Sequence, residues 1–200
     1  NFPENHALLK FHFSTMVPPH LDRDALSEKT MNAMRSAGRS FGAVPEAFPL
    51  VESLYETFVD KITEHLGAYP YLFGHKPSIG DFGIMAPLYA HLGRDPAPLR
   101  IMQSRGLPLM RWVERMNRPE LDQGEFLEQG DDYLADDEIP DSLLQVLKHV
   151  AVDFMPETRA AAVFTNQWLA DQESLAVGAT AERAIGVSDF EVQGQTIKAI

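Results

Sequence analysis

Three sets of residues in this chain have types and spacings that suggest chemistry. "GRSFG", Gly38 to Gly42, matches the Gly-x-Ser-x-Gly nucleophile elbow, in which a strained strand-to-helix turn presents a serine to an oxyanion hole. The stretch before it, "EKTMNAMRSA", reads as helix and "AVPEAFP" after it as loop, so Ser40 reads as part of a flexible Gly-Ser loop. Ser78 and Asp81 form a Ser-x-x-Asp pair at the head of the nearly charge-free stretch "PSIGDFGIMAPLYAHL". The carboxylate there is either a lone acid in an apolar helix or half of a helix cap. The third set is the seven histidines, His6, His12, His20, His65, His75, His91 and His149. They show no His-x-x-x-His or His-Glu-x-x-His spacing, so the sequence predicts no metal site. "DDYLADDEIPDS" likewise lacks the ligand order of a calcium-binding loop.

The elements that must position these residues are helical. "ENHALLKFHFSTM" places Leu8, Leu9, Phe11, His12, Phe13 and Met16 at helical spacings before Pro18-Pro19 ends the run. "DRDALSEKTMNAMRSA" reads as a second helix capped by Asp22 or Asp24. In "PEAFPLVESLYETFVDKITEHLG", Leu50, Leu54, Phe58, Ile62 and Leu66 recur every four residues, and Gly67 sits where a C-terminal cap belongs. A short amphipathic helix, Leu107 to Asn117, turns Leu109, Trp112, Val113 and Met116 inward. A long helix runs from Asp141 to Gln172, kinked or divided at Pro156. "VSDFEVQGQTIKAI" alternates around Gly194 as a short strand or hairpin. The fold class is all-α: a helical domain over 1–172, followed by an irregular or short β extension over 173–200.

The bulk numbers narrow the function classes. At 44% hydrophobic and 23% charged residues the chain has the composition of a folded globular protein. Its 17 basic and 29 acidic residues give a net charge of -12, which argues against nucleic acid or an anionic membrane as partner. Ten carboxylates and no basic residue lie between Glu120 and Asp141, which read as a solvated, mobile loop. Without cysteine there is no disulfide, thiolate metal site or cysteine nucleophile. The N-terminus "NFPENHALLK" has neither an initiator Met nor a signal-peptide core, and reads as a cytoplasmic protein with a further segment upstream.

Within the opening stretch, Ser78 is a favoured N-cap and Asp81 falls at the third helical position. The hydroxyl can accept from the Asp81 N–H while the carboxylate reaches back to the Ser78 N–H, a capping box with Asp in place of Glu. Phe82, Ile84, Met85, Leu88, Tyr89 and Leu92 surround the axis, which predicts a buried central helix over about 79–92. Pro87 should bend it near residues 83 to 87. Asp81 is read as structural.

These residues carry a resemblance. Tyr71-Leu72-Phe73-Gly74, the Pro77-Ser78-Ile79-Gly80-Asp81 box, and the later helix with Pro108, Trp112 and Met116 resemble the C-terminal helical domain of cytosolic glutathione transferases. The match covers roughly residues 69 to 120. Gly80 stands where that family more often has Ala, and the long helix and tail extend beyond its minimal domain. The resemblance implies a helical bundle whose first helix, with His12, Phe13 and Met16, walls the pocket for a small apolar electrophile. It implies a homodimer, with glutathione as co-substrate and no other cofactor. It also implies that the group activating the thiol lies in a separate thioredoxin-like domain, so that this chain carries no catalytic residue of its own. A non-catalytic binding or assembly module on the same fold is the alternative, and Phe13 and Met16 as core residues, with His12 on the surface, is the plainer reading of the pocket candidates.

Overall fold

Helix α3, Phe48–Ala68, is the axis around which the others assemble. Pro49 occupies its first turn, where no N–H is needed. Its apolar stripe buries Leu50, Val59, Ile62 and Leu66. The helix passes through Gly67 and stops at Tyr69, whose φ of -126° and ψ of 137° are extended. Pro70 causes this, because its ring disfavours helical geometry in the residue before it. The predicted glycine cap is therefore replaced by a proline stop. The computed structural model describes residues 3–118, 125–126, 130–180 and 184–199.

Helix α7, Asp141–Ala170, lies along α3 and runs unbroken through Pro156, so the proline does not divide it. Two histidines stitch this seam: His65 Nδ1 lies 2.9 Å from Ser142 Oγ, and His149 Nε2 lies 2.7 Å from the Leu54 carbonyl. On another side, α6, Leu107–Met116, inserts Leu109, Trp112 and Val113 into the core. Helix α5, Pro96–Arg105, was not foreseen, although Asp95 caps it and Pro96 opens it. Arg105 fixes it to α3 by forking onto Asp60 and reaching Glu56.

Helices α1, Pro3–Met16, and α2, Arg23–Ser40, form a pair at the edge of this body. Asp22 is the cap of α2, accepting from the Ala25 N–H at 3.0 Å. Lys10 joins the two helices through Asp24 at 2.6 Å and Glu28 at 3.2 Å. The Gly38-Arg39-Ser40 segment is the last turn of α2, not a flexible loop. Ser40 is exposed, with its hydroxyl donating to the Ser36 carbonyl, and it follows a helix where an elbow requires a strand.

The predicted central helix spans 79–92 as expected but is more exposed than expected. Helix α4 spans Ile79–Pro87 and then widens into a π-helical turn, Leu88–Leu92. Only Asp81 and Leu88 are buried in this stretch, whereas Ile79 is 92% and Phe82 58% exposed. The axis is apolar on every side, but the packed elements meet only one of them. Gly80 allows the close approach of the Leu72 side chain, while Gly83 faces open space.

The chain ends in a helix-packed hairpin, β1 Ser188–Val192 antiparallel to β2 Gln195–Ala199, with Val192 opposite Gln195. Gln193 and Gly194 both have positive φ, 48° and 78°, the left-handed pair of a two-residue hairpin turn. The fold is thus mostly helical with one small sheet. Part of the acidic stretch, residues 120–124 and 127–129, lies outside the described residues. Its second half is strapped to the Tyr71–Pro77 loop: the Leu134 N–H donates to the Phe73 carbonyl, the His75 N–H to the Asp132 carbonyl, and the Tyr133 hydroxyl to the Pro77 carbonyl. That segment is solvated, as expected, but tied to the neighbouring loop by these bonds. Among the described residues no helix is long and apolar enough to cross a membrane.

Candidate functional site

The site grows from the break after Pro87. A proline has no N–H to give to the preceding turn, and beyond it the backbone takes the wider i→i+5 pattern over Leu88–Leu92. Gly93 closes this turn, where a Cβ would lie 2.5 Å from the Leu88 carbonyl oxygen. Asp95 then caps α5 by accepting from the Ala97 N–H at 3.4 Å. The result is a corner that presents Ala90, His91, Leu92 and Arg94 toward the α1–α2 pair.

Between this corner and the two helices lies a cavity of about 1000 Å³. Its apolar lining comes from Leu9, Phe13 and Met16 of α1, Met31 and Met34 of α2, and Leu92. The three pocket residues expected from the sequence stand together on this wall. His12 and Phe13 are half-buried, and Met16, 71% exposed, sits at the mouth. The contributions of α2 and of the π-helical corner were not foreseen. Their only sequence signals are Pro87, Gly93 and the Asp95-Pro96 cap.

The polar lining is unbalanced. Arg35, Arg94, His6, His12 and His91 face one carboxylate, Asp95. That carboxylate is already engaged by the Asn5 amide and the α5 cap. Glu28, beside the cavity, is held by Lys10 and approached by His6 at 3.5 Å. Arg35 donates to Asn32 Oδ1 at 2.8 Å, and Arg94 stacks over the Tyr89 ring with 4.9 Å to its centre. Neither guanidinium has a carboxylate partner among the described residues, in contrast to Lys10, Arg105 and Arg115.

Ser78 and Asp81 belong to a separate, structural centre. Asp81 is fully buried, and each carboxylate oxygen accepts twice. Oδ2 accepts from the Ser78 N–H at 2.8 Å and its hydroxyl at 2.7 Å. Oδ1 accepts from the Leu72 N–H at 3.1 Å and from Trp112 Nε1 at 3.1 Å. The cap predicted from local spacing is present, and it also ties α6 and the preceding loop to α4.

Nearby, Arg115 is buried, donating to the Pro70 carbonyl at 2.8 Å, paired with Glu125 at 2.7 Å and flanked by the Tyr71 and Phe126 rings. Neither centre opens onto the cavity, whose lining residues are all different. No group of three or more histidine and carboxylate side chains among the described residues could hold a metal ion. The arrangement is therefore suited to binding a small molecule against an apolar wall beneath basic groups. Set beside known proteins, the chain matches no family model, no curated protein and no solved structure.

Proposed function

We propose that this chain is the pocket-bearing helical domain of a glutathione-transferase-like protein. On this reading it supplies the wall of the slot for an apolar electrophile, while a separate domain binds glutathione and lowers the pKa of its thiol. The observation that carries the proposal is the cavity of about 1000 Å³ against α1, with Phe13, Met16 and Leu9 on one wall. Its size falls in the range of small-molecule sites. The Asp81 cap, set between the aromatic loop and the Trp112 helix, supports the same resemblance. Pairing of two copies through the first two long helices completes the proposal.

The second reading, a non-catalytic binding module, uses the same cavity with no thiol-activating partner domain. Both readings expect an environment-sensitive apolar dye to bind and to be displaced by an aryl halide. Ala90→Trp, which projects an indole into the cavity, should abolish that binding. No dye binding by the folded chain would rule out both. Glutathione conjugation that appears when a thioredoxin-like domain is supplied, and not with these residues alone, selects the transferase reading.

A further inference from the structure

We propose that the cavity takes an amphiphile with an apolar body and one carboxylate head, the head bound by Arg35 and Arg94 and the body lying on the methionine-rich wall. This rests on the reading of the cavity as a small-molecule pocket and names the chemical class that it would select.

The inference starts from charge. A chain of net charge -12 repels anions at long range, so a site for an anion needs a local excess of basic groups. Around this cavity there is such an excess: two guanidiniums face one lining carboxylate, Asp95, while His6 lies 3.5 Å from Glu28. Asp95 offsets them only in part, being one carboxylate against two guanidiniums, and its Oδ1 is held in place by the Asn5 amide and the α5 cap. Glu28 is likewise committed to Lys10.

The two guanidiniums are also placed in advance. Stacking on Tyr89 holds Arg94 at the π-helical corner, and the bond to Asn32 holds Arg35 along α2. A planar guanidinium offers paired N–H donors that match the two oxygens of a carboxylate, and partial ordering before binding lowers the entropy lost on association. Below them, Met31 is buried and Met34 half-exposed, with Leu9, Phe13 and Met16 opposite. Methionine side chains adapt to irregular apolar bodies, which suits flexible chains more than one rigid ring. An apolar wall with an unpaired basic rim selects an amphiphile that is anionic at one end.

Isothermal titration of the full chain with dodecanoate, dodecanol and dodecyltrimethylammonium, all below their micelle concentrations, tests this directly. Dodecanoate should bind most tightly. The Arg35→Gln/Arg94→Gln double variant should weaken dodecanoate by about 10-fold or more, the scale of a lost charged hydrogen bond, and dodecanol by less than about 2-fold. The replaced side chains have no carboxylate partner to orphan, so circular dichroism should show an unchanged fold. Ala90→Trp should block all three ligands. Equal binding of all three ligands, or a double variant that holds dodecanoate unchanged, would overturn the carboxylate assignment and leave the pocket standing. Failure of all three to bind would overturn the pocket and the assignment together.

Discussion

Trp112 Nε1 donates to Asp81 Oδ1 at 3.1 Å, across a contact that joins α6 to the first turn of α4 with both residues fully buried. The carboxylate collects four donors from three parts of the chain, which is how a buried charge becomes tolerable. Asp81→Ala would leave the Leu72 and Ser78 N–H groups and the Trp112 indole without an acceptor. We expect a loss of at least ~3 kcal/mol, since each orphaned buried donor costs roughly 1–3 kcal/mol. Urea unfolding measures it. At low temperature, where the variant remains folded, dye binding at the cavity should be nearly unchanged. Full stability with selective loss of binding would contradict the structural assignment.

His65 makes the α3–α7 seam sensitive to acid. Burial holds its imidazole below the ordinary 6.5, against an upward pull from the Tyr71 and Leu72 backbone and Asp81. The unfolded chain would take a proton at this residue that the folded chain refuses. Stability from this group is therefore complete above about 6.5 and falls with pH through the window down to the lowered folded value. Urea midpoints measured from pH 8 to pH 5 should decline in the parent, and less steeply in His65→Leu. Parallel slopes would show that another group sets the acid limit.

Pro156 sits inside a helix that does not break for it. Replacing it with alanine restores a backbone donor and removes the ring's clash with the preceding turn. Pro156→Ala should raise the thermal midpoint, with a gain of up to ~3 kcal/mol on the helix-propensity scale. A lowered midpoint would mean that the half-buried ring contributes more by packing than it costs the helix.

Gly93 closes the corner that shapes the cavity. Its φ of -77° suits any residue, so the restriction is steric: a Cβ would press on the Leu88 carbonyl. Gly93→Ala should cost about 1–3 kcal/mol as the backbone shifts, and weaken dye binding with it. A fully stable variant with undisturbed binding would show that the corner is soft.

The parts of this fold that could be read in the sequence are those set by near neighbours. Ser78 and Asp81 are three residues apart, so their cap follows from helix geometry alone. The same holds for the inward face of α6 and for the turn at Gly194. The indole that completes the Asp81 site comes from thirty-one positions away, and no spacing rule announces it. Exposure of Ile79 and Phe82 was illegible for a related reason, because an apolar side chain does not say whether a neighbour reaches it. His12, Phe13 and Met16 were placed by resemblance, and the structure sets all three on the cavity wall. Arg35 and Arg94, which give that wall its charge, lie on elements whose approach to α1 depends on the π-helical turn. Helix periodicity of 3.6 does not foresee a stretch that departs from it.

The β1–β2 hairpin has a consequence for the order of folding. Gly42, with φ of 81°, leaves just enough room between α2 and α3 for Ile197 and Lys198 of β2. The corner at Gly42 is thus completed only when the chain has been made as far as β2. While the intervening chain is still being translated, that corner and the flank of α7 covered by β1 stay uncovered. Such a long closure is slow to form, and the waiting surfaces are open to wrong partners. Nascent chains stalled before Ser188 should be the species most readily captured by chaperones.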